Sequence, residues 1–77
     1  MLFGDYMKNF AEHLKYIRTS KGFTQRQVAE GTKIAERIII RYERGAGKPS
    51  FDKLWALADF FDVSVDYLMG RDWNPPN

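Results

Sequence analysis

The hydrophobic positions of the chain recur with a helical period, and glycine or proline interrupts them at short intervals. Over residues 5–20, Phe10, Leu14 and Ile17 follow the i, i+4, i+7 spacing of one helix face. Gly22 is placed to end this first helix. Thr24 stands three residues before Gln27, a capping-box spacing that predicts the start of a second helix.

The remaining pattern predicts three more short helices. Gly31 weakens the second helix, and Thr32 and Lys33 allow a tight turn before a third helix over residues 35–44. Ser50 is the expected N-cap of a fourth helix, and Ser64 is the expected N-cap of a fifth helix that ends at Gly70. The apolar stripe of the fourth helix consists of Leu54, Leu57, Ala58 and Phe61.

No segment alternates apolar and polar residues over the length of a strand. The sequence therefore predicts an all-α bundle of five short helices. We expect one domain over residues 1–70 and a short C-terminal tail over residues 71–77.

Composition excludes several classes of site. The 77 residues include no cysteine and one histidine, His13, so we expect no disulfide, no metal site and no cofactor. The carboxylates are scattered and do not pair with a nucleophile, which argues against an enzyme. Residues 45–48 are too short for a phosphate-binding loop. We expect His13 at the surface or its boundary. Core positions are expected for five aromatic residues: Tyr6, Phe10, Trp55, Phe60 and Phe61.

No apolar run approaches the roughly 18–20 residues that span a bilayer, and no basic segment with an apolar run follows Met1. These observations predict a cytoplasmic protein without a membrane partner.

Charge is distributed unevenly. Residues 18–48 hold eight cationic side chains against three anionic ones, whereas residues 49–77 hold two against five. This asymmetry favours a polyanionic partner on one face, although an ordinary solvated surface has the same composition.

Helical geometry sorts the third helix by face. If Ile39 points into the core, Arg37 and Arg41 lie nearly opposite it and one turn apart. Two like charges at that spacing destabilise a helix slightly. A ligand surface that is rich in hydrogen-bond acceptors would offset the repulsion between the two arginines. Arginine can donate two hydrogen bonds to guanine in the major groove. The alternative is a pair of solvated arginines.

Four segments in order make the chain resemble the lambda-repressor-like helix-turn-helix domains, also called the Cro or Xre type. They are LKYIRTSKGFTQRQVAE, then RYERG, then Pro49-Ser50, then LADFFDVSVDYLMG, and the resemblance extends over about residues 10–70. The resemblance implies a helix-turn-helix over residues 25–44 that binds duplex DNA.

The resemblance also implies roles for individual residues. Base contacts are expected from Glu36, Arg37, Ile40 and Arg41. Contacts with backbone phosphates are expected from Thr24, Gln25, Arg26, Lys33, Ile38, Arg44 and Lys48. Arg18 and Glu43 occupy the places of a structural ion pair.

The chain departs from the family pattern in the helix-turn-helix itself. Lys33 stands where the turn usually carries glycine at positive φ, and Ala35 cannot cap the third helix. Glu36 could accept a hydrogen bond from cytosine N4 or simply offset the helix dipole. Ile38 and Ile40 could contact thymine methyl groups, form a protein-binding patch, or be buried at an edge of the core.

The expected function is sequence-specific regulation of transcription, with repression as in phage and bacterial regulators and with residues 35–44 in the major groove. One short helix contacts few bases, so we expect a homodimer on a palindromic operator. Its interface is expected in the compact domain, at the fourth and fifth helices or at Trp73. Two alternatives stay open. One is an antitoxin or accessory regulator that binds protein through the patch of Ile38 and Ile40 or through the acidic C-terminal third, and the other is RNA binding by the basic face.

Overall fold

A computed structural model describes the backbone of residues 3–70 and the side chains of residues 9–70. These residues form five α-helices and no strand, which confirms the predicted all-α class. The helices are α1 (Phe3–Ser20), α2 (Gln25–Thr32), α3 (Glu36–Glu43), α4 (Phe51–Phe61) and α5 (Val65–Met69). The predicted tail, residues 71–77 with Trp73, lies outside the described residues.

Local capping explains where the helices begin. Thr24 Oγ1 accepts a hydrogen bond from Gln27 N at 3.0 Å, while Gln27 Oε1 accepts one from Thr24 N at 2.8 Å. This is the predicted capping box, and it satisfies two backbone N–H groups that the helix leaves open. Ser50 and Ser64 are the N-caps of α4 and α5, where each serine Oγ accepts one hydrogen bond, from Lys53 N and Tyr67 N respectively.

The core lies between α1 and the other four helices. Phe10, Leu14 and Ile17 are buried along α1, as their spacing predicts. The other members of the core cluster come from every other helix and from the turn before α3: Val28, Ala29, Ile34, Ile39, Tyr42, Leu57, Ala58, Phe61 and Leu68. None of the described helices has the length and apolar character needed to cross a membrane.

Two predictions about individual side chains are wrong. His13 is fully buried and not at the surface, because α5 packs across α1 and brings the Tyr67 ring to 4.6 Å from the imidazole. Trp55 is 60% exposed and not in the core. Two residues along a helix turn by about 200°, so the burial of Leu57 directs Trp55 outwards. Phe10 and Phe61 are buried as predicted, and the Tyr6 side chain lies outside the described residues.

Gly31 has a packing role that its helix propensity does not suggest. The helix continues through it, and a Cβ atom built at this position would overlap the ring of Phe60 on α4. The absence of a side chain therefore permits the close approach of α2 and α4, with Phe60 packed partly against the core.

Candidate nucleic-acid interface

The turn between α2 and α3 fixes the direction of α3. Lys33 adopts the left-handed conformation, with φ 63° and ψ 21°. Thr32 Oγ1 donates to Val28 O at 2.7 Å and accepts from Ile34 N at 3.3 Å. Ile34, which follows the turn directly, is buried. Its packing fixes the position of the backbone just before α3 begins.

The two faces of α3 have different chemistry. Ile39 and Tyr42 are buried, and the Tyr42 ring meets Phe10 edge-on with centroids 6.0 Å apart. Arg37 and Arg41 are exposed on the other side, and Glu36 is exposed in the first turn. Ala35 stands at the N-cap without a side-chain hydrogen bond. Helix α3 therefore presents an arginine-rich face while its apolar face is held in the core.

The side chains of Arg37 and Arg41 differ in whether a hydrogen bond restrains them. Arg41 Nη2 donates to Ala46 O at 3.2 Å, which holds the guanidinium against the loop that follows α3. Among the described residues, no side-chain hydrogen bond restrains Arg37. The planar donor group of Arg37 can therefore reorient toward a ligand, whereas that of Arg41 is partly positioned in advance.

A bidentate ion pair joins α1 to the end of α3. Arg18 donates from Nε to Glu43 Oε2 at 2.6 Å and from Nη2 to Glu43 Oε1 at 2.9 Å. The side chains are only 13% and 4% exposed. Hydrogen bonding to Glu43 raises the pKa of Arg18 above its ordinary value. The pair brings together the two residues that the sequence assigns to a structural contact.

Gln25 belongs to the same network. Its Nε2 donates to Glu43 Oε1 at 3.2 Å, so one carboxylate oxygen serves both Arg18 and Gln25. Sequence reasoning missed this contact because the two residues are 18 positions apart and belong to different helices. The bond directs the Gln25 amide toward the end of α3 and holds the first turn of α2 against it.

A basic recess surrounds the start of α2. It is open and has a volume of about 580 Å³, and its lining includes the cations Lys15, Arg18 and Arg44, the carboxylate of Glu43, and Thr24, Gln25 and Ile40. The first N–H groups of a helix and its dipole favour an anion at this position. Sequence reasoning missed Lys15. Its position three residues before Arg18 puts it on the same face of α1, which is the signal that could have identified it.

The other predicted phosphate contacts are spread around α3. Arg26 is exposed and pairs with Glu30 at 3.3 Å, and Lys33 lines a shallow depression with Glu36. Lys48 is exposed in the loop after α3. Arg26 and Lys33 line the same depression as the residues at the start of α3, whereas Arg44 and Lys48 follow α3 in the chain.

Ile38 and Ile40 do not form one patch. They lie about 100° to either side of Ile39 and so point to opposite flanks of α3. Ile38 is half-buried against the core, and its N–H donates to Ala35 O at 2.9 Å. Ile40 is half-buried in the basic recess. Of the three interpretations, Ile38 fits burial at an edge of the core, and a shared protein-binding patch finds no support.

The described residues contain no group of histidine, cysteine or carboxylate side chains that could hold a metal ion.

Comparisons with known proteins agree with this geometry. A family model described as helix-turn-helix matches residues 14–68. The HTH-type transcriptional regulator ImmR of Bacillus subtilis is 36% identical over 64 residues, which are 83% of this chain and 50% of ImmR. The HTH-type transcriptional activator BcrR of Enterococcus faecalis is 37% identical over 63 residues, which are 82% of this chain and 31% of BcrR. The chain thus spans half or less of the length of these relatives.

A solved structure extends the comparison to the fold. The restriction-modification controller protein C.AhdI of Aeromonas hydrophila superposes with a TM-score of 0.78 at 26% identity, covering 80% of this chain and 94% of C.AhdI. The relatives are regulators by name, in agreement with the prediction that the chain is not an enzyme. The match over residues 14–68, the relatives and the shared fold together show that this chain belongs to the lambda-repressor-like, or Xre-type, helix-turn-helix family.

Proposed function

We propose that the chain binds duplex DNA sequence-specifically and regulates transcription, with α3 inserted into the major groove. The observation that carries this proposal is the exposed Arg37–Arg41 face on a helix whose opposite side is buried. A helix held in this way can present its outer side chains to base edges without losing packing in the core. Relatives that are named as HTH-type transcriptional regulators support the same function.

Within the groove, the residues of α3 have separate tasks. Arg37 and Arg41 donate to guanine O6 and N7, and Glu36 accepts from cytosine N4. Ile40 contacts a thymine methyl group from its half-exposed position. The bond from Arg41 to Ala46 O lowers the entropy that Arg41 loses on binding, because part of its conformation is already fixed.

Backbone phosphates are bound around this face. The basic recess at the start of α2 takes one phosphate through the helix N–H groups, Thr24 and Gln25, with Lys15 and Arg44 adding charge. Arg26, Lys33 and Lys48 contact flanking phosphates. Arg18 neutralises Glu43 and so removes a buried negative charge from beside the bound anion.

The regulator acts as a repressor and binds a palindromic operator as a homodimer. A repressor can act by occupying a promoter alone, so repression requires no surface of the protein other than its DNA interface. An eight-residue helix contacts few base pairs, and pairing two half-sites supplies the specificity that one lacks.

Methylation interference on a duplex selected from random sequence tests the major-groove geometry. Guanine N7 lies in the major groove, so methylation there should abolish binding at the positions that Arg37 and Arg41 contact. Interference only from adenine N3, which lies in the minor groove, would contradict the proposal. A single-stranded RNA of the same sequence is the control, and equal affinity for it would favour RNA binding instead.

A further inference from the structure

Helix α1 ends in a turn that an arginine side chain closes. Gly22 adopts the left-handed conformation at φ 80°, and the N–H of Phe23 donates to Arg18 O at 3.0 Å, as in a Schellman motif. The Arg18 side chain returns to the same residue, because its Nη1 donates to Phe23 O at 3.0 Å. Its Nε and Nη2 groups bind the two oxygens of Glu43. The guanidinium thus binds the turn with one group and a planar pair of acceptors with two others.

Helix α3 ends in the same way, at Arg41. Gly45 is left-handed at φ 73°, and the N–H of Ala46 donates to Arg41 O at 2.9 Å. Arg41 Nη2 in turn donates to Ala46 O at 3.2 Å. Arg41 precedes Ala46 by the same number of residues as Arg18 precedes Phe23. The two arginines therefore occupy equivalent positions in equivalent turns.

The two guanidinium groups differ in what lies beyond the turn. Arg18 is buried against Glu43, with 13% of its side chain exposed. Arg41 is exposed, and among the side chains of residues 9–70 no carboxylate forms an ion pair with it. The single bond to Ala46 O leaves the guanidinium with both N–H donors of one edge. Arg41 can therefore bind a planar pair of acceptors on a ligand in the way that Arg18 binds its carboxylate.

We propose that the turn over residues 44–47 is a specificity element, which positions the Arg41 guanidinium for one guanine and makes that base pair the more strictly recognised of the two arginine contacts. The inference rests on the proposed DNA binding and deepens it. Guanine presents O6 and N7 on one edge in the major groove, a planar pair of acceptors like a carboxylate. The bond from Arg41 to Ala46 O has no counterpart at Arg37 among the described residues.

Two glycines fix the turn after α3 in its place. A Cβ atom at Gly45 would lie 3.8 Å from Ala11 Cβ, an ordinary contact, so glycine is required there by its left-handed φ and not by a lack of space. At Gly47, a Cβ atom would lie 3.4 Å from the ring of Tyr42, which is buried. The turn therefore lies against a core side chain, which holds the carbonyl group of Ala46 in position.

The bond from Arg41 to the turn contributes to specific binding and not to non-specific binding. Ordering a long side chain at an interface lowers affinity by about twofold to tenfold. On the preferred duplex, the bond to Ala46 O reduces this loss because the guanidinium is already positioned. On a scrambled duplex Arg41 meets no matching pair of acceptors, so its ordering does not affect the affinity. Disruption of the turn should therefore lower the ratio of the two Kd values.

Fluorescence anisotropy with a selected duplex, and with duplexes that replace one guanine each, tests the inference through Gly45. Gly45→Ala strains the left-handed turn and should lower discrimination at one G·C pair by about twofold to tenfold. Gly45→Asn is the matched control, because asparagine tolerates the left-handed conformation and should keep most of the discrimination. Far-UV circular dichroism verifies that each variant is folded.

Two variants of Arg41 identify its base pair without altering the turn. Arg41→Ala should lower discrimination by about tenfold to a hundredfold at the pair that Gly45→Ala affects. Arg41→Lys should lose as much, because lysine keeps the charge but lacks a planar two-donor edge. Adding Gly45→Ala to Arg41→Ala should cause no further loss, since the turn acts through this side chain. In the wild type, replacing this guanine should weaken binding more than replacing the one that Arg37 contacts.

The position of the effect separates the outcomes. A loss confined to the pair that Arg41→Ala identifies supports the inference. Equal losses in Gly45→Ala at the pairs contacted by Arg37 and Arg41 would mean that the turn supports only the helix, and would overturn the inference while leaving specific DNA binding intact. The same holds if Arg41→Ala weakens binding to selected and scrambled duplexes equally, as a phosphate contact would. If the wild type prefers no duplex at all, the proposed function fails, and the inference fails with it.

Discussion

Glu43 connects three helices through one carboxylate. It accepts two hydrogen bonds from Arg18 of α1 and one from Gln25 of α2, and it is itself the last residue of α3. Because its side chain is 4% exposed, water cannot replace these partners if they are removed. A buried pair of this kind is costly to break even where its net contribution over an apolar pair is small.

We expect Glu43→Ala to lower the free energy of unfolding by about 3 kcal/mol, because Arg18 would keep a largely buried charge without its carboxylate. Urea denaturation measures the change. Glu30→Ala is the matched control, since it breaks the exposed Arg26–Glu30 pair and should cost no more than about 0.5 kcal/mol. Equal losses in the two variants would show that burial of the Arg18–Glu43 pair is unimportant.

Lys33 combines a conformational cost with a useful charge. A non-glycine residue in the left-handed region is strained by about 1–2 kcal/mol, part of which glycine would regain. Lys33→Gly should therefore raise the free energy of unfolding by about 0.5–1 kcal/mol. If Lys33 binds a phosphate, the same variant should reduce the slope of log affinity against log salt by about one. Thermal melts and a salt titration of DNA affinity measure the two effects, and an unchanged slope would remove Lys33 from the interface.

At the scale of single elements, the starts of α2, α4 and α5 could be predicted from the sequence, whereas the residues that face outwards could be predicted less well. The Thr24–Gln27 capping box and the Ser50 and Ser64 caps involve neighbours within three residues, so the sequence contains the whole interaction. The exposure of Trp55 depends on which side of α4 the other helices cover. The recess residue Lys15 and the Gln25–Glu43 bond depend on how α1, α2 and α3 meet. These contacts join residues of different helices, so the sequence of any one helix does not contain them.

Gly31 tests the packing between α2 and α4. Helix propensity alone predicts that Gly31→Ala stabilises the protein by about 0.5–1 kcal/mol. The Phe60 ring occupies the position of the new methyl group, so we expect a loss of about 1–3 kcal/mol. Combining Gly31→Ala with Phe60→Leu should cost less than the sum of the two single changes. Stabilisation by Gly31→Ala would contradict the close approach of the two helices.

For the whole molecule, His13 makes stability depend on pH through the contact between α1 and α5. Burial lowers the pKa of His13 below its ordinary value of 6.5, and backbone hydrogen bonds at Leu68 and Tyr67 only partly oppose this shift. Below about pH 6.5 the unfolded chain binds a proton that the folded chain does not. The free energy of unfolding should therefore fall as the pH decreases from about 6.5 through the lowered pKa, and the contribution of His13 should be independent of pH above about 7.5.

Urea denaturation from pH 5 to 8 of wild type and His13→Leu measures this contribution. The difference between the two free energies should change with pH below about 6.5 and be constant above about 7.5. A constant difference over the whole range would mean that burial does not hold His13 in its neutral form.

The central claim is that the exposed face of α3 supplies sequence specificity while the surrounding cations supply affinity. Fluorescence anisotropy tests it most directly, as the ratio of Kd values for a scrambled and a selected duplex at one salt concentration. Arg37→Ala should lower this ratio about tenfold to a hundredfold, the contribution of one bidentate base contact. Arg26→Ala should weaken binding to both duplexes equally and leave the ratio unchanged. If Arg37→Ala also leaves the ratio unchanged, α3 does not contact the bases through this face.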